Sequence, residues 1–549
     1  MRLSRGKSRL HMAVIPRLDK VRMLPQVCAL AALCIFAFLI RCVDLGKFGL
    51  WFDEANTILI SRLDWAHIVE ALRHDGNPPL YYLLMNLWMR CWGTSPATVE
   101  GLSLAIGVAS IPVVWFIASR TVDRQTGWIT AGLLVMAPFH VFYSQQARMY
   151  TLLPLAYLLS LWTLYEALQE TADKKWWAAY VSATVVAIYT HNFALLLFPA
   201  QLTYMVCCAR RREIWLWWGA SLAAVGLCYL PWLPGLAGQM ANLGVYQWLG
   251  EQLAALSLNA WDQVWRSLRL LMVGIGAPPT YGLSAQFHSN NLCVVTHLAA
   301  WLFAGHSIWK ERKAFKYHSW CFLLVLSIVV PYACALVYSA VRQPILTIGR
   351  VDSMFFLPLL ILTVFGIRFI RLGALKFLLS VILLIGSLTG LDLQRQHPYS
   401  LKVGEFRLNQ YLLNRVRDND LVICPLFSHV SFGYEVWRRA LSVTVLAFPY
   451  DVPVIDEKCS TNEDPRCRTE RILQQAELMP TRVASMLSAG QRVWFLEPYP
   501  IHQDIVYGYH PRLLEGMQRV LREISDPRIP CLGPVTGSVY MRVRVFELS

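Results

Sequence analysis

The chain has 549 residues, of which 56% are hydrophobic and 15% charged, with a mean hydropathy of +0.41. Soluble domains carry about 25% charged residues, so this composition excludes disorder, a collagen-like fibre and a small disulfide scaffold, and points to a polytopic membrane protein. The net charge of +15 would favour nucleic acid in a soluble chain; here the basic residues sit in short loops between apolar runs, which fits membrane orientation and no nucleic-acid partner.

The first element is an apolar run, CALAALCIFAFLI, preceded by Arg2, Arg5, Lys7, Arg9, Arg17, Lys20 and Arg22. RCVDLG follows it, with no small-residue cleavage site, so it reads as a membrane helix with its N-terminus in the cytoplasm. A spanning helix needs about 20 mostly apolar residues. That window predicts about eleven spans, at roughly 24–43, 98–119, 127–145, 149–168, 176–191, 192–209, 214–233, 291–309, 318–340, 352–367 and 375–391. The segment PPLYYLLMNLWMRCW (78–92) is apolar but short and opens with two prolines, so it is left out. With it excluded, the basic loops 119–125, 173–175, 209–213, 310–316 and 368–376 all face the cytoplasm, as the positive-inside rule requires. The loops 44–97, 144–150, 190–193, 234–290 and 341–351, and everything after about 392, then face outward.

The tail has another composition. Strand-length runs (DLVICPL, SVTVLAF, RVWFLEP, SVYMRVRVFEL) alternate with helix-like stretches (RLNQYLLNRV, RVASMLSAG, HPRLLEGMQRVLREI), which predicts a small α/β domain outside the membrane. The expected division is a transmembrane domain over 1–395 and an extracytoplasmic α/β domain over 396–549. Cys459 and Cys467 bracket an acidic loop, and both a disulfide and two free thiols fit.

Polar residues gather in the outward loops. WFDEANT carries Asp53 and Glu54 just after the first span; the plain reading is a helix N-terminus, the sharper one a catalytic pair. HDGNPPLYYLL carries His74, Asp75 and Asn77 in a turn fixed by prolines. FHVFYSQQARMYTLL places Gln146, Arg148 and Tyr150 between two spans, where an Arg runs against the basic-inside trend and offers a cation to an anionic substrate. His191 follows at an outward turn, where an ordinary hydrogen-bonded histidine is the plain reading. Arg342 and Arg350 precede the FFLPLL helix. One face thus collects carboxylates, three arginines and amides, while the middles of the spans carry few ionisable groups. That distribution suits chemistry on a lipid headgroup better than midplane transport.

The series WFDEA, NPPLYYLL, FHVFYSQQARMYTLL, YTHNFALLL and an Arg before FFLPLL, in order over about residues 40–370, resembles the polyprenyl-phosphate-sugar-dependent glycosyltransferases of the GT-C fold. That superfamily contains the protein mannosyltransferases and the lipid A aminoarabinose transferases, and the series looks most like bacterial mannosyltransferase-like membrane proteins. The resemblance implies an integral membrane enzyme that transfers one sugar, with inversion, from an undecaprenyl-type phosphate carrier to an acceptor hydroxyl on the periplasmic side. Asp53 matches the catalytic base, with Glu54 beside it. Three positions depart from the pattern: Asn77 stands where His or Lys is common, Gln146 replaces a carboxylate, and Glu100 aligns where an Arg often precedes Ser103.

The chemistry fits these residue types. A phosphate leaving group needs cations, for which Arg350, Arg148 and Arg342 are candidates. The attacking hydroxyl needs a general base, for which Asp53 is the candidate. Metal dependence is open at this point: the Asp53–Glu54 pair could bind Mg²⁺ or Mn²⁺. The acceptor could be lipid A, another glycan, a glycolipid or a protein. No N-x-Ser/Thr sequon occurs, which favours a bacterial inner membrane over an endoplasmic reticulum. Two other readings compete: a lipid-linked sugar flippase, which would not depend on Asp53, and a catalytically degenerate assembly subunit.

Overall fold

The computed structural model describes residues 20–73, 75–171, 173–241, 260–274, 291–310, 315–342, 345, 349–368, 370–396, 400–425, 428–448, 465–488, 490–499, 510–524, 532–536 and 539–548. The first half runs through α1 (Lys20–Cys42), α2 (Phe52–Ser61), α3 (Trp65–Leu72), α4 (Leu80–Trp92), α5 (Pro96–Thr121), α6 (Arg124–Met136), α7 (Pro138–Ser144), α8 (Leu152–Gln169) and α9 (Lys174–Thr190). Next come a 3₁₀ turn (Asn192–Leu196), α10 (Leu197–Cys208), α11 (Arg212–Tyr229), α12 (Leu233–Ala241), α13 (Ala260–Val273), α14 (Asn291–Lys310) and α15 (Phe315–Val341). A 3₁₀ turn (Val351–Phe355) leads into α16 (Phe356–Arg368) and α17 (Gly373–Gln396).

Local sequence sets these boundaries. Ser95 caps α5 by accepting from the Thr98 amide, with Pro96 at the first helical position. Asp123 and Asp173 cap α6 and α9 in the same way. Pro138 cannot donate to α6, so the helix breaks there and α7 leaves at 58°. Arg41 fills the gap. Its buried guanidinium donates to the carbonyls of Leu134 (3.2 Å) and Val135 (3.1 Å), to Ser144 Oγ (3.1 Å) and to His140 Nδ1 (3.0 Å).

All eleven expected span positions carry a helix or helix pair. Six helices among the described residues are long and apolar enough to cross a membrane, seven if α6 and α7 count as one bent span. The helices at 149–168, 176–191, 192–209 and 291–309 are shorter or more polar. For α8 the reason is its position: Tyr157, Ser160, Thr163 and Glu166 are buried inside the bundle, where Arg120 pairs with Glu166 at 2.6 Å, so the helix need not be apolar all round. The excluded segment 78–92 folds as α4, whose 13 residues reach about 20 Å, short of the roughly 30 Å hydrocarbon core.

The tail forms the expected α/β unit. α18 (Ser400–Leu413) precedes β1 (Leu421–Pro425), α19 (Ser428–Arg438), β2 (Thr444–Phe448), α20 (Pro465–Met486), β3 (Arg492–Tyr499), α21 (His510–Val520), β4 (Leu521–Glu523), β5 (Leu532–Thr536) and β6 (Val539–Leu548). The sheet order is β2-β1-β3-β6-β4, with β5 also on β6. β1 pairs in parallel with β2 and β3, and β6 runs antiparallel to its neighbours. The tail is not an appendage. Phe406 of α18 meets Phe48 edge to face (6.3 Å between centroids), Tyr434 of α19 donates to Thr94 O (2.7 Å), and Val430 and Tyr434 lie in the same apolar core as the bundle helices. His74 and the Cys459–Cys467 pairing lie outside the described residues.

Candidate active site

The N-terminus of α2 organises the site. The plain reading of WFDEANT holds there: the segment starts a helix, and Glu54 accepts from the Trp51 amide (3.4 Å) as its capping residue. The two neighbouring carboxylates diverge. Asp53 Oδ2 lies 3.0 Å from Arg350 Nη2, and both side chains keep some exposure, 13% and 28%. Arg350 also lies over the Trp51 ring, 5.4 Å from its centroid. It is placed by Gly349, whose φ of +81° is one that L side chains rarely adopt and whose carbonyl accepts from the Tyr143 hydroxyl.

Arg148, buried in the loop between α7 and α8, braces the same helix start. Its Nη1 donates to Asp53 O (3.2 Å), Thr57 Oγ1 (2.9 Å) and Tyr82 OH (3.4 Å), and its guanidinium lies 5.8 Å from the Tyr150 ring. Burial disfavours its charge, but Tyr82, Tyr150, Asp53 and Asp75 outweigh that and hold it protonated above the usual arginine range. Tyr82 OH donates to Asp75 Oδ2 (3.2 Å), so Asp75 joins this cluster at one remove.

Glu54 is fully buried and faces away from Asp53. Its Oε1 accepts from the Ala147 amide (2.8 Å), which ties the Arg148 loop to α2. Its Oε2 lies 2.9 Å from Lys402 Nζ of α18, and the same ammonium lies 2.5 Å from Glu100 Oε1 of α5. Glu100 Oε2 accepts from the Gly46 amide (2.7 Å). Burial disfavours the Lys402 charge, yet Glu100 and Glu54 outweigh it and raise its affinity for the proton. Gln146 does not meet Glu100; its Oε1 accepts from Trp51 Nε1 (2.9 Å). Lys402 brings the positive charge to Glu100.

The remaining expected residues scatter. The amide of Asn77 reaches Asp75 Oδ1 (3.4 Å), while its carbonyl accepts from Gln239 (3.0 Å). His191 caps the 3₁₀ turn by accepting from the Phe193 amide (3.2 Å), a structural role. Arg342 is exposed at the end of α15, and among the described residues its side chain joins none of these contacts. The described residues hold no cluster of three or more His, Cys, Asp or Glu suited to a metal ion. Asp53 and Glu54 do not converge on one point, since each faces its own side-chain cation, so the pair does not fit Mg²⁺ or Mn²⁺ as a shared ligand set.

Sequence reasoning missed Lys402 and Glu405, both on α18. A lone Lys in an amphipathic tail helix reads as a solvated face, and only the fold shows that it is buried. Thr57 and Tyr82 were inside quoted motifs, but nothing in the spacing marked them as Arg148 partners.

The whole-chain fold matches the ArnT protein of Cupriavidus metallidurans. The match to its undecaprenyl-phosphate-bound structure has 12% identity and a TM-score of 0.54, covering 95% of this chain and 98% of that one. The match to its apo structure has 12% identity and a TM-score of 0.51, covering 96% and 98%. The archaeal oligosaccharyltransferase AglB of Archaeoglobus fulgidus, solved with an inhibitory peptide and a dolichol-phosphate, matches at 11% identity and a TM-score of 0.48 over 79% of this chain; the chain spans 65% of its length. No curated protein matches by sequence. The fold is thus that of the ArnT structures, and the apolar helices fit a multi-pass membrane protein. Residues 76–234, under a third of the chain, match the family described as dolichyl-phosphate-mannose-protein mannosyltransferase.

Proposed function

We propose that the chain transfers one sugar from a polyprenyl-phosphate carrier to an acceptor hydroxyl at the outer, periplasmic face of a bacterial inner membrane, with Asp53 as general base. The observation that carries this reading is the Asp53–Arg350 pair, a partly exposed carboxylate 3.0 Å from a partly exposed guanidinium at the end of the spans. A donor phosphate competes with Asp53 for Arg350. Binding it draws the guanidinium to the phosphate oxygens and leaves the Asp53 carboxylate free to take the acceptor's proton. The acceptor oxygen forms the new bond to the anomeric carbon as the bond to phosphate oxygen breaks, and Arg350 meets the charge that develops there. Arg148 is too enclosed by Thr57, Tyr82 and Asp53 O to be the first phosphate ligand; it orients α2 instead.

Mass spectrometry of envelope glycans and lipid A tests the reading. Cells lacking the gene are compared after complementation with wild type or Asp53→Asn at matched expression. Restoration of a missing sugar by wild type alone supports it. Equal restoration by both overturns Asp53 as the base and moves the flippase reading forward.

A further inference from the structure

The site is built partly from the tail. Lys402 Nζ lies 2.9 Å from Glu54 Oε2, 3.2 Å from Glu54 Oε1 and 2.5 Å from Glu100 Oε1. The Lys402 and Glu54 side chains are 9% and 0% exposed, and that of Glu100 is 1%. Two carboxylates buried this close repel each other unless a cation sits between them. Each carboxylate has one further anchor. Glu54 holds the Ala147 amide, next to Arg148, and Glu100 holds the Gly46 amide. Gly46 has a φ of +72° and a Cβ there would lie 2.6 Å from the Ala97 nitrogen, so this turn has one fitting residue type. Lys402 thus joins three strands of backbone: the turn after α1, the start of α2 and the Arg148 loop.

We propose that Lys402 is a positioning residue for the proposed transfer: by bridging Glu54 and Glu100 it docks α18 onto the first loop and holds Asp53 in register with Arg350. This rests on the reading of Asp53 as the base. The tail then supplies part of the catalytic framework and is not merely a neighbouring domain. Lys402 does not touch the reacting atoms, so its loss acts through Asp53, where a shift of about 1 Å can cost roughly 100-fold in rate.

Two measurements on the full-length chain in membranes test the idea. The first reads docking without activity. Phe48→Cys and Phe406→Cys replace two rings whose centroids are 6.3 Å apart, and oxidation joins the two introduced thiols. Crosslinking should be efficient with Lys402 present and fall at least fivefold with Lys402→Met. An equal yield in both backgrounds overturns docking by Lys402. The second reads transfer per folded protein. Lys402→Met should lower kcat about 100-fold with the donor KM within threefold, Lys402→Arg should keep at least a tenth of kcat, and the exchange Glu100→Lys with Lys402→Glu should recover at least tenfold over either single change. Folded Lys402→Met within threefold of wild type, or an exchange no better than its singles, overturns the positioning role. If wild type transfers no sugar at all, the Asp53 reading and with it the positioning role fall, while the crosslink still decides whether Lys402 docks the tail.

Discussion

Two buried arginines separate what burial alone implies from what a site requires. Arg41 is 0% exposed and meets backbone carbonyls, a serine and a neutral histidine ring nitrogen; it repairs the helix break at Pro138. Arg148 is almost as buried, yet its partners are the start of α2, Thr57 and Tyr82, next to a carboxylate that solvent reaches. The first cation replaces missing backbone hydrogen bonds; the second fixes the start of α2 beside Asp53. Partner type, not depth, distinguishes them.

The largest expected effect tests the Asp53 side of this contrast. Asp53→Asn keeps the shape of the site and should lower kcat roughly 100- to 10,000-fold with the thermal midpoint of the purified protein unchanged. Arg41→Met should do the reverse. It leaves buried carbonyls without donors, at about 1–3 kcal/mol each, so yield and thermal midpoint should drop while the rate per folded molecule stays within a fewfold of wild type. If Arg41→Met instead lowers the rate without loss of stability, the contrast fails. Next comes Arg350→Lys, which keeps charge but loses the planar fork; donor KM should rise about tenfold, consistent with a bidentate phosphate contact.

A pH measurement sharpens the picture around α18. Burial, reinforced by Asp53 and Glu54, pushes the Glu405 carboxyl up to about 8 against the pull of Ser431 and the Phe52 amide. The folded state therefore holds a proton that the unfolded chain releases near pH 4.5, the ordinary value. Stability should fall as pH rises from about 4.5 to 8, because the folded state binds more protons across that window. Glu405→Gln should flatten that fall in a detergent unfolding series; an unchanged slope removes Glu405 as its source. The smallest effect is expected from Gln146→Glu. The new carboxylate still accepts from Trp51 Nε1, so activity should stay within tenfold, and a larger loss would mean that charge at 146 matters to the Glu54–Lys402–Glu100 bridge.

The sequence carried much of the fold and part of the site. Apolar windows located the helices, and strand-length runs located β1, β2, β3 and β6, because both signals are local. β4 and β5 escaped: β4 is three residues continuing directly from α21, and β5 is a short strand on the flank of β6. In the site, Asp53 and Arg350 were legible as opposite charges on outward loops. Arg342 was equally legible and stays apart, since a loop charge says nothing about which way the chain turns. Lys402 was illegible because its meaning is a contact 348 residues away.

That separation has a consequence for how the protein is made. Glu54 enters the membrane early, whereas its cation emerges only after α17 has been synthesised. At about 5–20 residues per second, the interval between them is on the order of twenty seconds to a minute. During that time Glu54 of α2 and Glu100 of α5 lack the ammonium that bridges them. The contact that anchors the start of α2 thus forms late, once α18 has followed the apolar helices out of the ribosome, with the strands of the tail sheet still to come.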